Sequence, residues 1–192
     1  MSGLRERKKT ETRRRIQEHA LRLFQAKGYE ATTVEEIAAA AGVSHMTFFR
    51  YFPSKPAVVE NDDYDPMIAE LIRSRPAAEE PLTAIRRALV GALRAMPAAE
   101  QATILSRARL ILGEPALRAR QIESQRTTRE IFAAAIADRD DPPPAFHRQV
   151  LAAAALSTLA VAIDEWAGGN GADDLADVVD RAFAALRWPA RT

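Results

Sequence analysis

The residues with the most chemistry to offer lie between Thr33 and Lys55. Thr33-Val34-Glu35-Glu36 has the spacing of a capping box, in which the Thr33 hydroxyl accepts from the Glu36 amide and the Glu36 carboxylate reaches back to the Thr33 amide. Val34, Ile37, Ala38 and Ala41 then share one helical face, Gly42 stands at the turn, and Ser44 can cap a second short helix whose inward residues are Phe48 and Phe52. That leaves His45, Met46, Thr47, Phe49 and Arg50 facing outward, with Tyr51 at the flank. A solvent face does not ordinarily carry Met, Phe and Tyr, because exposing them costs hydrophobic free energy. The major groove of a duplex can use them: Arg50 or His45 can bond guanine O6/N7, and Phe49 or Met46 can meet a thymine methyl. Thr33, Tyr51 and Lys55 are placed for phosphates. The plainer reading makes Phe49 and Tyr51 core residues, although Phe48 and Phe52 already fill the inward positions.

A small Ala38 at a helix crossing, a Gly four residues on and an apolar residue six beyond that form a helix-turn-helix pattern. Gly suits the turn because it reaches positive φ without strain. The rest of the 192-residue chain supports an all-α reading. Ala supplies 39 residues, Gly only 8 and aromatics 6%, a composition that favours helix and gives a sheet little to build on. Pro and Gly cut the sequence into about nine pieces of helical length: 10–27, 33–41, 44–52, 55–74 with a kink or split at Pro66, 82–96, 98–112, 115–138, 145–167 and 172–187. The charge is uneven. Residues 1–55 hold 11 Lys/Arg and 6 Asp/Glu, whereas the remainder holds 16 and 20. Arg5, Arg7, Lys8, Lys9, Arg13, Arg14 and Arg15 make a basic arm suited to a polyanion, or else a solvated terminus.

The stretch Ile16–Val59, IQEHALRLFQAKGYEATTVEEIAAAAGVSHMTFFRYFPSKPAVV, resembles the DNA-binding domain of the tetracycline-repressor (TetR) family of bacterial regulators. GYEATTVEEIA and FFRYFPSK, in this order near an N-terminus, carry the resemblance. It implies that Thr33, Ser44, His45, Met46, Thr47, Phe49, Arg50, Tyr51 and Lys55 occupy positions from which family members touch DNA. The family often has tyrosine at the position of Phe49, so a phosphate-directed hydroxyl is missing there. It also implies two domains: residues 1–55 as a three-helix DNA-binding domain with its basic arm, and 56–192 as a helical effector-binding and dimerisation domain. NDDYDP at 61–66, SRARLIL at 106–112 and PALRAR at 115–120 further resemble the subgroup whose C-terminal domain binds acyl-CoA-like ligands.

Within 56–192, helix 98–112 is apolar nearly all round, with Arg107 and Arg109 at its flanks. These guanidiniums either anchor a ligand phosphate or carboxylate or pair internally with a carboxylate. On helix 115–138 the stripe Leu117, Gln121, Ser124, Thr128, Ile131, Ala135 is apolar at its ends and polar in the middle. Facing inward, Gln121, Ser124 and Thr128 would orient a ligand in an apolar cavity; facing outward, they would be solvated. The apolar run Val150–Ile163, with the stripe Leu175, Val178, Val179, Ala182, Phe183, Leu186, is expected to form a homodimer through helices 145–167 and 172–187. A two-fold dimer fits a near-palindromic operator in double-stranded DNA.

Other chemistry is excluded. There is no cysteine, and the three histidines lack companions at metal-ligand spacing. The acidic run 61–65 has Pro66 where a calcium loop needs Gly. No phosphate loop or catalytic triad stands out, so no metal, cofactor or enzymatic activity is expected. The 14-residue apolar run is short for a bilayer span, and the charged N-terminus has no apolar segment behind it, so a cytoplasmic protein with no membrane partner is expected. The expectation is a ligand-responsive repressor. Its rival is a helical lipid or acyl carrier, or an enzyme, with an incidental basic N-terminus.

Overall fold

The computed structural model describes residues 2–60 and 64–186, without the side chains of 2–6 and 122–124. Among the described residues there are nine α-helices, one 3-10 turn and no strand. The helices are α1 (Ser2–Lys27), α2 (Val34–Ala40), α3 (His45–Tyr51), α4 (Asp65–Arg73), α5 (Pro81–Ala95), α6 (Ala98–Gly113), α7 (Pro115–Ala137), α8 (Ala145–Gly168) and α9 (Leu175–Ala185).

Two expectations about these elements change. Helix α1 begins at Ser2 rather than near residue 10, so the basic arm continues the helix instead of preceding it. No single helix spans 55–74. Pro56 opens a 3-10 turn over Pro56–Val58, residues 61–63 lie outside the described residues, and α4 starts at Asp65. Of the two readings of Pro66, the split is the one seen: Pro66 kinks no helix but sits in the first turn of α4, where its missing N–H costs nothing and its fixed φ is already helical.

The chain divides into two compact units. The first comprises residues 1–61 together with Leu110–Arg118; the second comprises 62–109 and 119–192. The core of the first is built from α1 (Ile16, Ala20, Phe24), α2 (Ile37, Ala38), α3 (Phe48) and the following Phe52 and Val58. Leu117, from the α6–α7 corner, is 3% exposed and belongs to this same core.

In the second unit α5 packs with α4, α8 and α9, and its stripe Ile85, Leu89, Leu93 shares one buried core with Phe132 and Ile136 of α7 and Val179 and Phe183 of α9. Arg86 forms a two-pronged pair with Asp180 at 2.8 Å for each bond, fastening α5 to α9. At 24 residues α8 is longer than the apolar run suggested and is long and apolar enough by length and composition to cross a membrane. Its Ala152, Ala155, Leu156 and Trp166 are instead core residues of this unit. The α9 stripe is also core: Leu175, Val178, Val179 and Phe183 are buried within their own subunit. Among the described residues of this unit, the large apolar side chains left exposed are Met67 on α4, Phe146, Val150 and Val161 on α8 and Leu186 beyond α9.

Candidate nucleic-acid interface

Helices α2 and α3 are short and depend on their caps. The Thr33 hydroxyl accepts from the Glu36 amide at 3.2 Å and the Glu36 carboxylate accepts from the Thr33 amide at 2.8 Å, completing the capping box. Glu36 also pairs with Lys27 at the end of α1, which together with the Thr33 amide holds its carboxyl below the usual carboxylate range. Ser44 caps α3, its hydroxyl accepting from the Thr47 amide at 3.1 Å and donating to the Thr47 hydroxyl at 2.9 Å. Between the helices Gly42 takes φ +63°, and the Val43 amide closes the turn on the Ala38 carbonyl at 2.9 Å.

This frame turns two faces of α3 in opposite directions. Phe48 and Phe52 are 0% exposed, whereas Met46 is 81% and Phe49 41% exposed. Ser44, His45 and Arg50 are exposed, while Thr47 and Tyr51 are half-buried. Phe49 is therefore not a core residue. Its ring meets Phe48 and His45 edge to face, with centroids 5.3 and 4.7 Å apart. The His45 Nε2 lies 3.2 Å from the Glu35 carboxylate of α2. The Arg50 guanidinium rests 5.5 Å from the centroid of the Tyr51 ring.

Two cations brace the interface from behind. Arg13 of α1 donates to the Tyr51 carbonyl at 3.0 Å and lies 4.4 Å over the Phe52 ring, so α1 grips the C-terminal end of α3. The Lys55 ammonium donates to the carbonyls of Tyr29 and Thr32 at 3.0 and 3.1 Å and sits 4.3 Å over the Tyr29 ring. Two of its three N–H donors thus hold the α1–α2 turn. Neither Arg13 nor Glu35 stands out in the sequence for these roles, because the contacts join residues 38 and 10 positions apart with no local pattern.

The candidate effector residues are more scattered. Arg107 is half-buried, and Arg109 is exposed and bonded to Asn170 in the α8–α9 loop. The α7 stripe faces inward at both ends, Leu117 in the first unit and Ala135 in the second. Gln121 and Thr128 are half-buried between them, and the Ser124 side chain lies outside the described residues. The Thr128 hydroxyl donates to Asp65 at 2.6 Å and so ties α7 to the first turn of α4. Helix α6 is half-buried around most of its surface rather than fully enclosed, with Ala108 its one buried residue among those described.

Comparison with known proteins gives this geometry a context. Residues 16–61 match the family described as bacterial regulatory proteins, tetR family, and residues 79–190 match the MftR C-terminal domain. The chain is 44% identical over 97 residues to the HTH-type transcriptional regulator TcmR of Streptomyces glaucescens, covering 48% of this chain and 43% of TcmR. It is 32% identical over 139 residues to the transcriptional regulator MftR of Mycobacterium tuberculosis, covering 69% of this chain and 68% of MftR. Among solved structures, the TetR-family repressor FadR of Thermus thermophilus, in complex with lauroyl-CoA, is 26% identical with a TM-score of 0.55, covering 94% of this chain and 96% of that one. The paired helices α2 and α3, with the family matches over residues 16–61 and 79–190 and the likeness to MftR, make this protein a member of the tetR family of bacterial transcriptional regulators, a family of DNA-binding proteins rather than enzymes.

Proposed function

We propose that the protein is a cytoplasmic, dimeric repressor that leaves a near-palindromic operator when an acyl-CoA-like effector binds. The observation that carries the reading is the exposed face of α3, which holds apolar and cationic side chains together within the basic first 55 residues. Residues 1–55 are the DNA-binding domain, and 56–192 bind effector and pair the subunits. Thr33, Ser44, His45, Met46, Thr47, Phe49, Arg50, Tyr51 and Lys55 face the duplex, with Arg50 bonding base edges and the third Lys55 N–H reaching a phosphate. The exposed Val150 and Val161 of α8 join a second subunit.

The effector class follows from the lauroyl-CoA complex of the FadR relative, with Arg107 and Arg109 supplying charge and Gln121, Ser124 and Thr128 supplying orientation. Residues of α6 fall in both units, up to Arg109 in the second and from Leu110 in the first. An effector that prefers the released state by about 10- to 100-fold is sufficient, equivalent to ~1.4–2.7 kcal/mol.

The test is fluorescence polarisation with labelled duplexes from the DNA upstream of the gene. Tight binding by the wild type, loss of at least about 30-fold in Arg50→Ala with folding and dimerisation intact, and release by lauroyl-CoA support the proposal. Unchanged affinity in Arg50→Ala refutes the assignment of the face; binding that lauroyl-CoA leaves untouched refutes the effector class.

A further inference from the structure

Met46 and Phe49 stand three residues apart on α3 and therefore on one face of the helix, with Arg50 beside them. Both are large and apolar, and Met46 is 81% and Phe49 41% exposed. The Phe49 ring is not loose. Phe48, which is fully buried, holds one side of it, and His45 holds another while facing Glu35 of α2. The helix thus presents an apolar plate, braced by two ring contacts, with a thioether next to it. The floor of the major groove offers hydrogen-bonding edges at every base pair but just one apolar group in the unmodified duplex, the C5 methyl of thymine. Phe49 has no hydroxyl for a phosphate, so the plate gains most free energy on DNA where a methyl meets it.

We infer that Met46 and Phe49 are specificity-determining residues that require thymine under α3 in each half-site, and that they read its methyl rather than its hydrogen-bonding edge. This deepens the DNA-binding reading and rests on it. The two subunits of a dimer place two such plates on the operator, so the requirement recurs at symmetric positions.

The experiment begins with selection of bound sequences from a randomised duplex pool by the full-length wild-type protein. The selected operator is then synthesised twice, once with thymine and once with deoxyuridine at the positions under α3. The uracil duplex keeps every hydrogen-bonding group and every charge and loses the methyls alone. Wild-type affinity is expected to fall about 4-fold per methyl, or roughly 15-fold for one in each half-site, the effect of leaving one carbon unburied. Met46→Ala and Phe49→Ala should bind the thymine operator less tightly and discriminate less between the two duplexes. Both positions are exposed, so each variant should stay folded, and its circular dichroism can be compared with the wild type.

Equal wild-type affinity for the two duplexes overturns the inference while leaving the DNA-binding reading intact. Full discrimination retained in both variants overturns the assignment to these side chains. A pool from which the wild type enriches no motif overturns the functional reading and this inference together.

Discussion

Phe48 and Phe49 are adjacent in sequence and opposite in fate. The first is 0% exposed at the centre of the α1–α3 core, and the second is 41% exposed on the outer face. Phe48→Ala should lower the stability of the first unit by about 3–5 kcal/mol, because it removes a full aromatic side chain and leaves a cavity. Phe49→Ala should cost no more than about 1 kcal/mol, since half its surface already meets water. Urea unfolding of the two variants separates the roles, and similar losses would place Phe49 in the core after all. Helical periodicity made this division legible, because only one face of a seven-residue helix can meet the core. The roles of the cations were less legible. Lys55 resembles a phosphate contact in sequence, yet two of its donors are spent on the Tyr29 and Thr32 carbonyls. Such contacts depend on where a turn brings its carbonyls, which residue type and spacing do not encode. The same holds for Thr128, a ligand-orienting candidate by position whose hydroxyl is bonded to Asp65.

Among the elements, two glycines at positive φ separate strain from crowding. Gly42 sits at φ +63° in the turn between α2 and α3, and a Cβ there would meet open space. Gly42→Ala should therefore cost about 1–2 kcal/mol, from backbone strain alone. Gly171 sits at φ +69° between α8 and α9, and a Cβ there would lie 2.8 Å from Leu105 Cδ2 of α6. Gly171→Ala should cost more than Gly42→Ala, because the same strain is joined by displacement of Leu105. Thermal unfolding of both variants tests the order. The turn at Gly42 was readable because helix-turn-helix spacing is local, whereas the crowding at Gly171 arises between residues 66 positions apart. Pairing across elements follows the same rule. Arg86 and Asp180 are separated by 94 positions, and their bond fastens α5 to α9. The Arg86 guanidinium holds the Asp180 carboxyl below the usual carboxylate range. A depressed carboxyl stabilises the fold above its unfolded pKa of about 3.9 and loses that contribution as pH falls through the lower folded value. Asp180→Asn should thus lower stability at pH 7, by about 1 kcal/mol or less for so exposed a pair, and flatten the acid limb below about pH 4. A variant whose acid limb matches the wild type would show that the pair contributes nothing to acid sensitivity.

For the whole molecule, the distribution of charge decides how DNA binding should respond to salt. The chain carries a formal net charge of only +1, too little to draw it to a polyanion as a uniform body. The first 55 residues, however, hold an excess of five positive charges, and Lys8, Lys9, Arg14 and Arg15 are exposed along α1. A dimer presents this segment twice. If each subunit neutralises about three to five phosphates, the logarithm of the binding constant should fall against the logarithm of salt concentration with a slope of about −5 to −9. Replacing Lys8 and Lys9 by Ala should make that slope shallower without altering which sequence is preferred, because phosphate contacts position the protein and base contacts specify. Arg50→Ala should do the reverse, relaxing preference at its own position in each half-site. Titrations of the operator and of an unrelated duplex at salt concentrations between 50 and 200 mM separate the two effects. A slope near zero for the wild type on both duplexes would make the basic segment incidental. Equal slopes for the wild type and the double lysine variant would confine the phosphate contacts to the α2–α3 face and exclude the first turns of α1.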